Sequence, residues 1–397
     1  MNKVIYLYIL CVVLFACKPE NNNQFDLKSN PLILDSSKPS KINASSIFSS
    51  LSFLALEKME DKIIGNISKI ICKDSILFIK TRNSIFAYNL KGEYLFDISN
   101  KGEAPEQYRT ISDFDVNDNI EIMDHFSKKI HVYTKDGKLK SSWKYPLFAI
   151  SFKNMKDGNY VFYSGNTPNL DNNYMFHVYS KEKNKLIKSF VDINKKVINY
   201  FQYMDIDNFP QFEGQKIFMS GSKMVYKYDR GGIFPAREIN LKEFEIPKEV
   251  YNKSFEDVSY FDKYLEKKDY LSAQNTFYLE NKNNTIIPLS RKVKEKLWLW
   301  ENKTLKQTKL INSLSDDFNF ENHISYEIKD LSTVGIDQKN MYFWKDSAEF
   351  LDIIKRLRLK IGEENFRTFM DSHENIKKIS SSTSIGSNPI IIMSEIL

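Results

Sequence analysis

Five histidines, three cysteines and a short run of aspartates are the residues of this 397-residue chain whose types could do chemistry. His125, His131, His177, His323 and His373 contain no i, i+4 pair, the spacing that sets two imidazoles on one helical face for a metal. His131 and His177 hold the same place in two similar segments, each just before a Val-Tyr pair, which points to packing within a repeat rather than catalysis. Asp113, Asp115 and Asp118 in SDFDVNDN alternate as calcium ligands can, but the glycine and distant glutamate of an EF-hand loop are missing. Aspartates at strand ends also cap their own turns, and that is the reading adopted for them. There is no G-x-S-x-G elbow, no phosphate-binding loop and no dinucleotide fingerprint. The sequence therefore offers no catalytic residue, no metal ligand set and no cofactor motif. Binding remains. Glu106, Tyr108 and Arg109 follow a long turn and are the candidates for a ligand-binding face, their plainer role being to shape that turn.

The elements that would have to position such residues are strands. Hydrophobic residues make up 42% of the chain and aromatics 14%, with 29 Phe and 22 Tyr, side chains that suit half-buried pleated surfaces. The net charge of +6 is spread along the chain, and the basic cluster SRKVKEK around Arg291 is interrupted by Glu295. Nucleic acid would need basic residues gathered on one element, so it is set aside as a partner.

The first residues carry an address. MNKVIYLYILCVVLFACKPE has a basic start and an apolar run from Val4 to Ala16, too short to span a bilayer and right for a secretory signal. Leu14-Phe15-Ala16-Cys17 resembles the lipobox of bacterial lipoproteins, which implies a signal over residues 1–16 and a lipid on Cys17. Residues 17–41, rich in Asn, Ser, Lys and Pro, read as a flexible tether. Cys72 would then be the one free thiol of the processed chain, which excludes an internal disulfide, and its apolar surroundings mark it as an inert core residue.

From residue 42 onward the chain repeats itself. IFAYNLKGEYL, IHVYTKDGKLK, FHVYSKEKNKL and VYKYDRGGIF align on Tyr88, Tyr133, Tyr179 and Tyr228, at spacings of 45, 46 and 49 residues. Each segment carries a polar turn dipeptide, and each is preceded by another β-prone run, ILFIK, IEIMD, YVFYS or KIFMS. A period near 45 is the length of a four-stranded propeller blade, whose faces are buried only by neighbouring blades. A fifth copy surrounds Trp300, and a sixth is expected at Ser332 to Trp344. The helical spacing of Tyr251, Phe255, Val258, Phe261 and Leu265 predicts an inserted helix near 247–271, and one or two more are expected near 348–380 with a break at Gly362. The fold expected is all-β: a six-bladed β-propeller of four-stranded antiparallel blades over 42–397, with seven blades the alternative.

Asn100 to Leu139 sharpens this. Gly102 to Tyr108, Asp113-Phe114, Met123-Asp124 and Lys129-Ile130 through Asp136-Gly137 together resemble the six-bladed β-propeller lipoproteins of Bacteroidetes, relatives of NHL-repeat propellers. The resemblance implies that SNPIIIMSEIL and the strand near Phe53 complete one blade from both ends of the domain. Ala104 departs from it, standing where a second glycine is usual, and the hairpin at Lys181 to Lys185 lacks Asp-Gly. The resemblance carries no assigned reaction. The expectation is an exported, lipid-anchored scaffold of the cell envelope, at the outer membrane on a side left open. It would bind an unknown glycan, peptide or protein and reach the membrane through its N-terminal lipid only. The alternative is a channel-centred, metal-assisted hydrolase or lyase, which requires carboxylates or histidines converging from several blades.

Overall fold

Strands rich in branched and aromatic residues, separated by polar turns, dominate the computed structural model, which describes residues 31–59, 62–165, 173–193, 211–213, 216–218, 223–253, 255–273, 277–337 and 339–397. The signal expected over residues 1–16, Cys17 and the strand expected at Phe201 to Met204 lie outside the described residues. Three N-terminal strands come first: β1 (Leu32–Ile33), β2 (Ser36–Asn43) and β3 (Phe48–Ala55). The first sheet then folds as an antiparallel meander of β4 (Lys69–Lys73), β5 (Ile76–Lys80), β6 (Ile85–Asn89) and β7 (Tyr94–Ile98). The second repeats it with β8 (Asp113–Val116), β9 (Ile120–Asp124), β10 (Lys129–Tyr133) and β11 (Leu139–Lys144). β12 (Ser151–Asn154), β13 (Asn159–Tyr163), β14 (Tyr174–Ser180) and β15 (Lys185–Asp192) form the third. The fourth holds β16 (Gln211–Glu213), β17 (Lys216–Phe218), β18 (Met224–Asp229) and β19 (Gly232–Asn240).

In the fifth sheet β20 (Leu271–Ala273) and β21 (Leu279–Glu280) both pair with β22 (Asn284–Arg291). β23 (Glu295–Asn302), β24 (Gln307–Ser315) and β25 (Ser325–Glu327) follow in turn. The sixth contains β26 (Ser332–Ile336), β27 (Asn340–Lys345) and β28 (Ile390–Ile396), with β3 added at its edge. Ile390 to Glu395 pair with Ala55 back to Ser50, so one sheet is completed from both ends of the domain, as the resemblance implied.

Packing between the sheets explains why the repeat exists. Phe78 and Ile85 of the first sheet share a core with Phe114 and Ile120 of the second. Met123 and Ile130 of the second meet Phe152 and Phe162 of the third. The series continues through the remaining sheets and ends where Tyr342 and Ile391 of the sixth pack on Ile70 and Leu77 of the first. β9 is buried along its whole length, whereas the outer strand β11 is almost wholly exposed. The arrangement is of β-propeller type. The aligned tyrosines Tyr88, Tyr133, Tyr179 and Tyr228 are all buried, and the third and fourth strands of each of the first four sheets slip register at or close to them. Such a bulge raises local twist, which radially packed sheets need.

Turn chemistry follows the repeat. Gly92, Gly137 and Gly231 have φ near +80°, and in the hairpin that lacks Asp-Gly it is Asn184, at φ 48°, that supplies the left-handed residue. Ala104 is not in that region, so replacing a glycine there strains nothing.

Three expectations change. The tether expected over residues 17–41 does not extend to residue 41, because strands begin at Leu32. β1 pairs in parallel with β19 and β2 with β24, and Leu32 and Leu34 are fully buried between the fourth and fifth sheets. Leu32 and Leu34 of the apolar run Pro31-Leu32-Ile33-Leu34 drive this, against polar surroundings that disguise them. The helix expected near 247–271 is two: α1 (Lys248–Tyr251) and α2 (Val258–Glu266), the second capped by the Asp257 carboxylate accepting from Ser259 N at 2.7 Å. The second insertion is three helices: α3 (Ser347–Ile361), α4 (Glu363–Ser372) and α5 (Glu374–Ser382). Gly362, φ 80°, ends α3 as expected, and His373 breaks the remainder. No helix among the described residues is long and apolar enough to cross a membrane.

Candidate functional site

The turn before β8 holds the three candidates, and the structure separates them. Tyr108 is fully buried, and its hydroxyl lies within hydrogen-bond reach of the carbonyls of Asn83 at 2.8 Å and Ile98 at 3.1 Å. It ties the turn to the first sheet and cannot face a ligand, so Tyr108 is corrected from a binding to a structural residue. Glu106 and Arg109 are exposed on either side of it. The Arg109 amide donates to Asp124 Oδ2 at 2.9 Å, which fixes its backbone, and the aspartate spends its other bonds on the turn that follows.

The opposite end of β8 is more strongly built. Turns of the first three sheets meet there around a cleft of roughly 600 Å³. Lys73 comes from the end of β4, Asn117 to Asn119 from the β8–β9 turn, and Lys156 with Gly158 from the β12–β13 turn. Lys181 and Glu182 follow β14. Glu121 of β9 anchors the lining and is 5% exposed. Its two oxygens accept from the Tyr160 hydroxyl at 2.6 Å and the Asn154 amide at 2.9 Å. Burial raises its pKa, and nearby Asp115 adds to this; the two hydrogen bonds and the Lys181 ammonium oppose it without prevailing. Tyr160 is likewise pushed up, by burial first and by the Glu121 charge second.

Asp113 and Asp115 lie beneath, where inner strands adjoin. Lys69 donates to Asp113 at 2.7 Å from the first sheet, and the Phe152 amide donates to it at 3.2 Å from the third. Asp115 accepts from Lys153 Nζ at 2.6 Å. Burial would raise Asp115, but Lys153 and then Lys69 outweigh it and hold the carboxyl below its ordinary range. These two aspartates are inter-sheet clamps rather than the caps of their own turns expected from the sequence, and only Asp118 of the three reaches the cleft.

The remaining chemistry is dispersed. His131 and His177 are fully buried, and each Nδ1 is 2.9 Å from a serine hydroxyl on the next strand, Ser142 or Ser189. Burial takes His177 down to about 4, so it is neutral at physiological pH. The Cys72 thiol is pushed up by burial, away from reactivity. Among the described residues no group of three or more His, Cys, Asp or Glu is placed to hold a metal. Sequence reasoning did not find the cleft. Its readable signs were Asp118, noted only for its aspartate run, and Glu121, a carboxylate inside the otherwise apolar start of IEIMD.

With this geometry in place, comparison with known proteins identifies the lineage. The profile of the Domain of unknown function (DUF4934) matches residues 24–395. The chain belongs to the DUF4934 family. Among solved structures it is similar to a protein of Bacteroides fragilis NCTC 9343 described as exported, with 18% identity, a TM-score of 0.70, and coverage of 91% of this chain and 98% of that one. At that identity the likeness shows the fold alone. Further matches are a DUF4221 family member of Bacteroides vulgatus (7% identity, TM-score 0.46, coverage 88% and 96%) and a catalytically inactive virginiamycin B lyase of Staphylococcus aureus with quinupristin (10%, 0.41, 87% and 99%). No curated protein matches the sequence.

Proposed function

We propose that this DUF4934 member is a six-bladed β-propeller, exported and lipid-anchored at Cys17, that serves the cell envelope as a binding scaffold. Its ligand sits in the cleft between the second and third sheets. The observation that carries the reading is Glu121: a nearly buried carboxylate, fixed by Tyr160 and Asn154, at the wall of a cleft rimmed by turns of three sheets. Burying such a group with no cation in direct contact costs stability, the Lys181 ammonium offsetting it only in part, and that cost is explained if its remaining acceptor sites serve a ligand. The lipobox-like Leu14 to Cys17 and the exported description of the Bacteroides fragilis protein support the address.

Two measurements test this. A panel of glycans and peptides should bind the wild type and lose binding to the Lys156→Glu, Lys181→Glu double variant; equal binding to both sinks the cleft. Metabolic labelling with an alkyne fatty acid should tag the wild type and not Cys17→Ala, and an untagged wild type refutes the anchor.

A further inference from the structure

We infer that the cleft takes a neutral, hydroxyl-rich saccharide, an inference that rests on reading the cleft as the binding place. Its lining sets the ammoniums of Lys73, Lys156 and Lys181 against the carboxylates of Asp118, Glu121 and Glu182. With the charges balanced, neither an anion nor a cation gains a net field, and each meets a repelling partner alongside an attracting one. A ligand without charge meets no such penalty.

The uncharged groups say what kind of neutral ligand fits. Asn119 has no side-chain partner among the described residues, so its amide offers donors and an acceptor together. Asn117 spends its Nδ2 on Asp115 at 3.1 Å and keeps its carbonyl oxygen. Sugar hydroxyls, donor and acceptor in one atom, match such groups in either sense. Glu121 adds the selective contact. Each of its oxygens takes one hydrogen bond from the protein, which leaves acceptor capacity on a carboxylate that is already oriented. A hydroxyl donating there makes a charge-assisted bond in a shielded place, stronger than any made at the rim. Asn154 is used up, its Nδ2 donating to Glu121 and its Oδ1 accepting from the Lys156 backbone amide at 3.0 Å, and so acts as a positioning residue.

Shape agrees. At Gly158 a Cβ would meet no heavy atom within 4 Å, so one side of the cleft is open. A volume of roughly 600 Å³ lies within the usual range for ligand sites and suits a short oligosaccharide whose chain continues past that glycine.

The test is calorimetric titration of the full processed chain with four neutral trisaccharides (cellotriose, maltotriose, mannotriose and N-acetylated chitotriose), one acidic (trigalacturonate) and one basic (the glucosamine trimer). At least one neutral trimer should bind. Glu121→Gln and Asn119→Ala should each weaken it at least about tenfold, the loss of one well-made hydrogen bond, with unfolding temperatures unchanged for Asn119→Ala. If only a charged trimer binds and Asn119→Ala weakens it, the class is wrong and the cleft stands. Neutral binding that neither variant alters overturns both the class and the cleft, and no binding by any neutral trimer overturns the class.

Discussion

Glu280 illustrates how single residues hold the fourth and fifth sheets together. Lys216 and Lys303 donate to it at 2.7 and 2.9 Å, and Tyr278 gives a third hydrogen bond. Burial alone would raise its pKa, but these partners prevail and lower it to about 2. A carboxyl whose folded pKa lies below its unfolded value contributes stability above the unfolded value and loses it as pH falls toward the folded one. Between pH 7 and pH 3 the wild type should therefore lose more stability in urea than Glu280→Gln; equal losses would refute the assignment. Tyr108→Phe should cost about 1 kcal/mol, the usual net value of a buried hydrogen bond, and leave ligand binding untouched. A selective loss of binding would restore Tyr108 to the site. Tyr108 was readable as part of a turn but not as buried, because its acceptors, Asn83 and Ile98, lie 25 and 10 residues back in a neighbouring sheet. Glu121 had a sign in the sequence; its partner Tyr160, 39 residues on, had none.

At the scale of elements, the N-terminal segment does what no periodicity announces. β1, β2 and β3 run in succession along the outer edges of the fourth, fifth and sixth sheets. The corresponding edges of the first three sheets, β7, β11 and β15, are their own last strands. Polar contacts support the lacing: Thr308 N donates to Asp35 Oδ2 at 2.7 Å and Arg291 Nη1 to the Ser37 carbonyl at 3.1 Å. Leu34→Ala should cost about 3 kcal/mol, within the range for emptying a packed leucine site, measured as a shift in urea midpoint. A change under about 0.5 kcal/mol would mean that the segment is a loose tether after all. The first four repeats were legible because each shows a tyrosine, a turn pair and a fixed period. β1 and β2 were not, because parallel pairing to an edge imposes no alternation when one strand has two residues and the other is mostly Ser and Lys. Gly137→Ala tests the turn chemistry. With φ at 80°, and with a Cβ at that position only 2.6 Å from the Phe96 ring, it should destabilise by more than about 1 kcal/mol in the same urea assay.

Over the whole molecule, six sheets of the described residues share cores in sequence, and the last returns to the first. Each sheet depends on two neighbours, so a break anywhere spreads. Deleting 390–396 removes β28, the strand that joins β3 to β27. The truncated chain should lose its single sharp thermal transition rather than shift it, and an intact transition would show that the join is dispensable. That join spans a long stretch of chain: Ser52 and Met393, bonded across it, are 341 residues apart. Long-range pairings form slowly, because loop closure must precede any gain. Until β28 arrives, β3 presents a bare edge of eight residues, and a second molecule carries the same complementary strand. Refolding is thus a race between partners, one on the same polypeptide and one on its neighbour. Dilution favours the monomer, and concentrated refolding should trap exchanged dimers that vanish when the protein is refolded dilute.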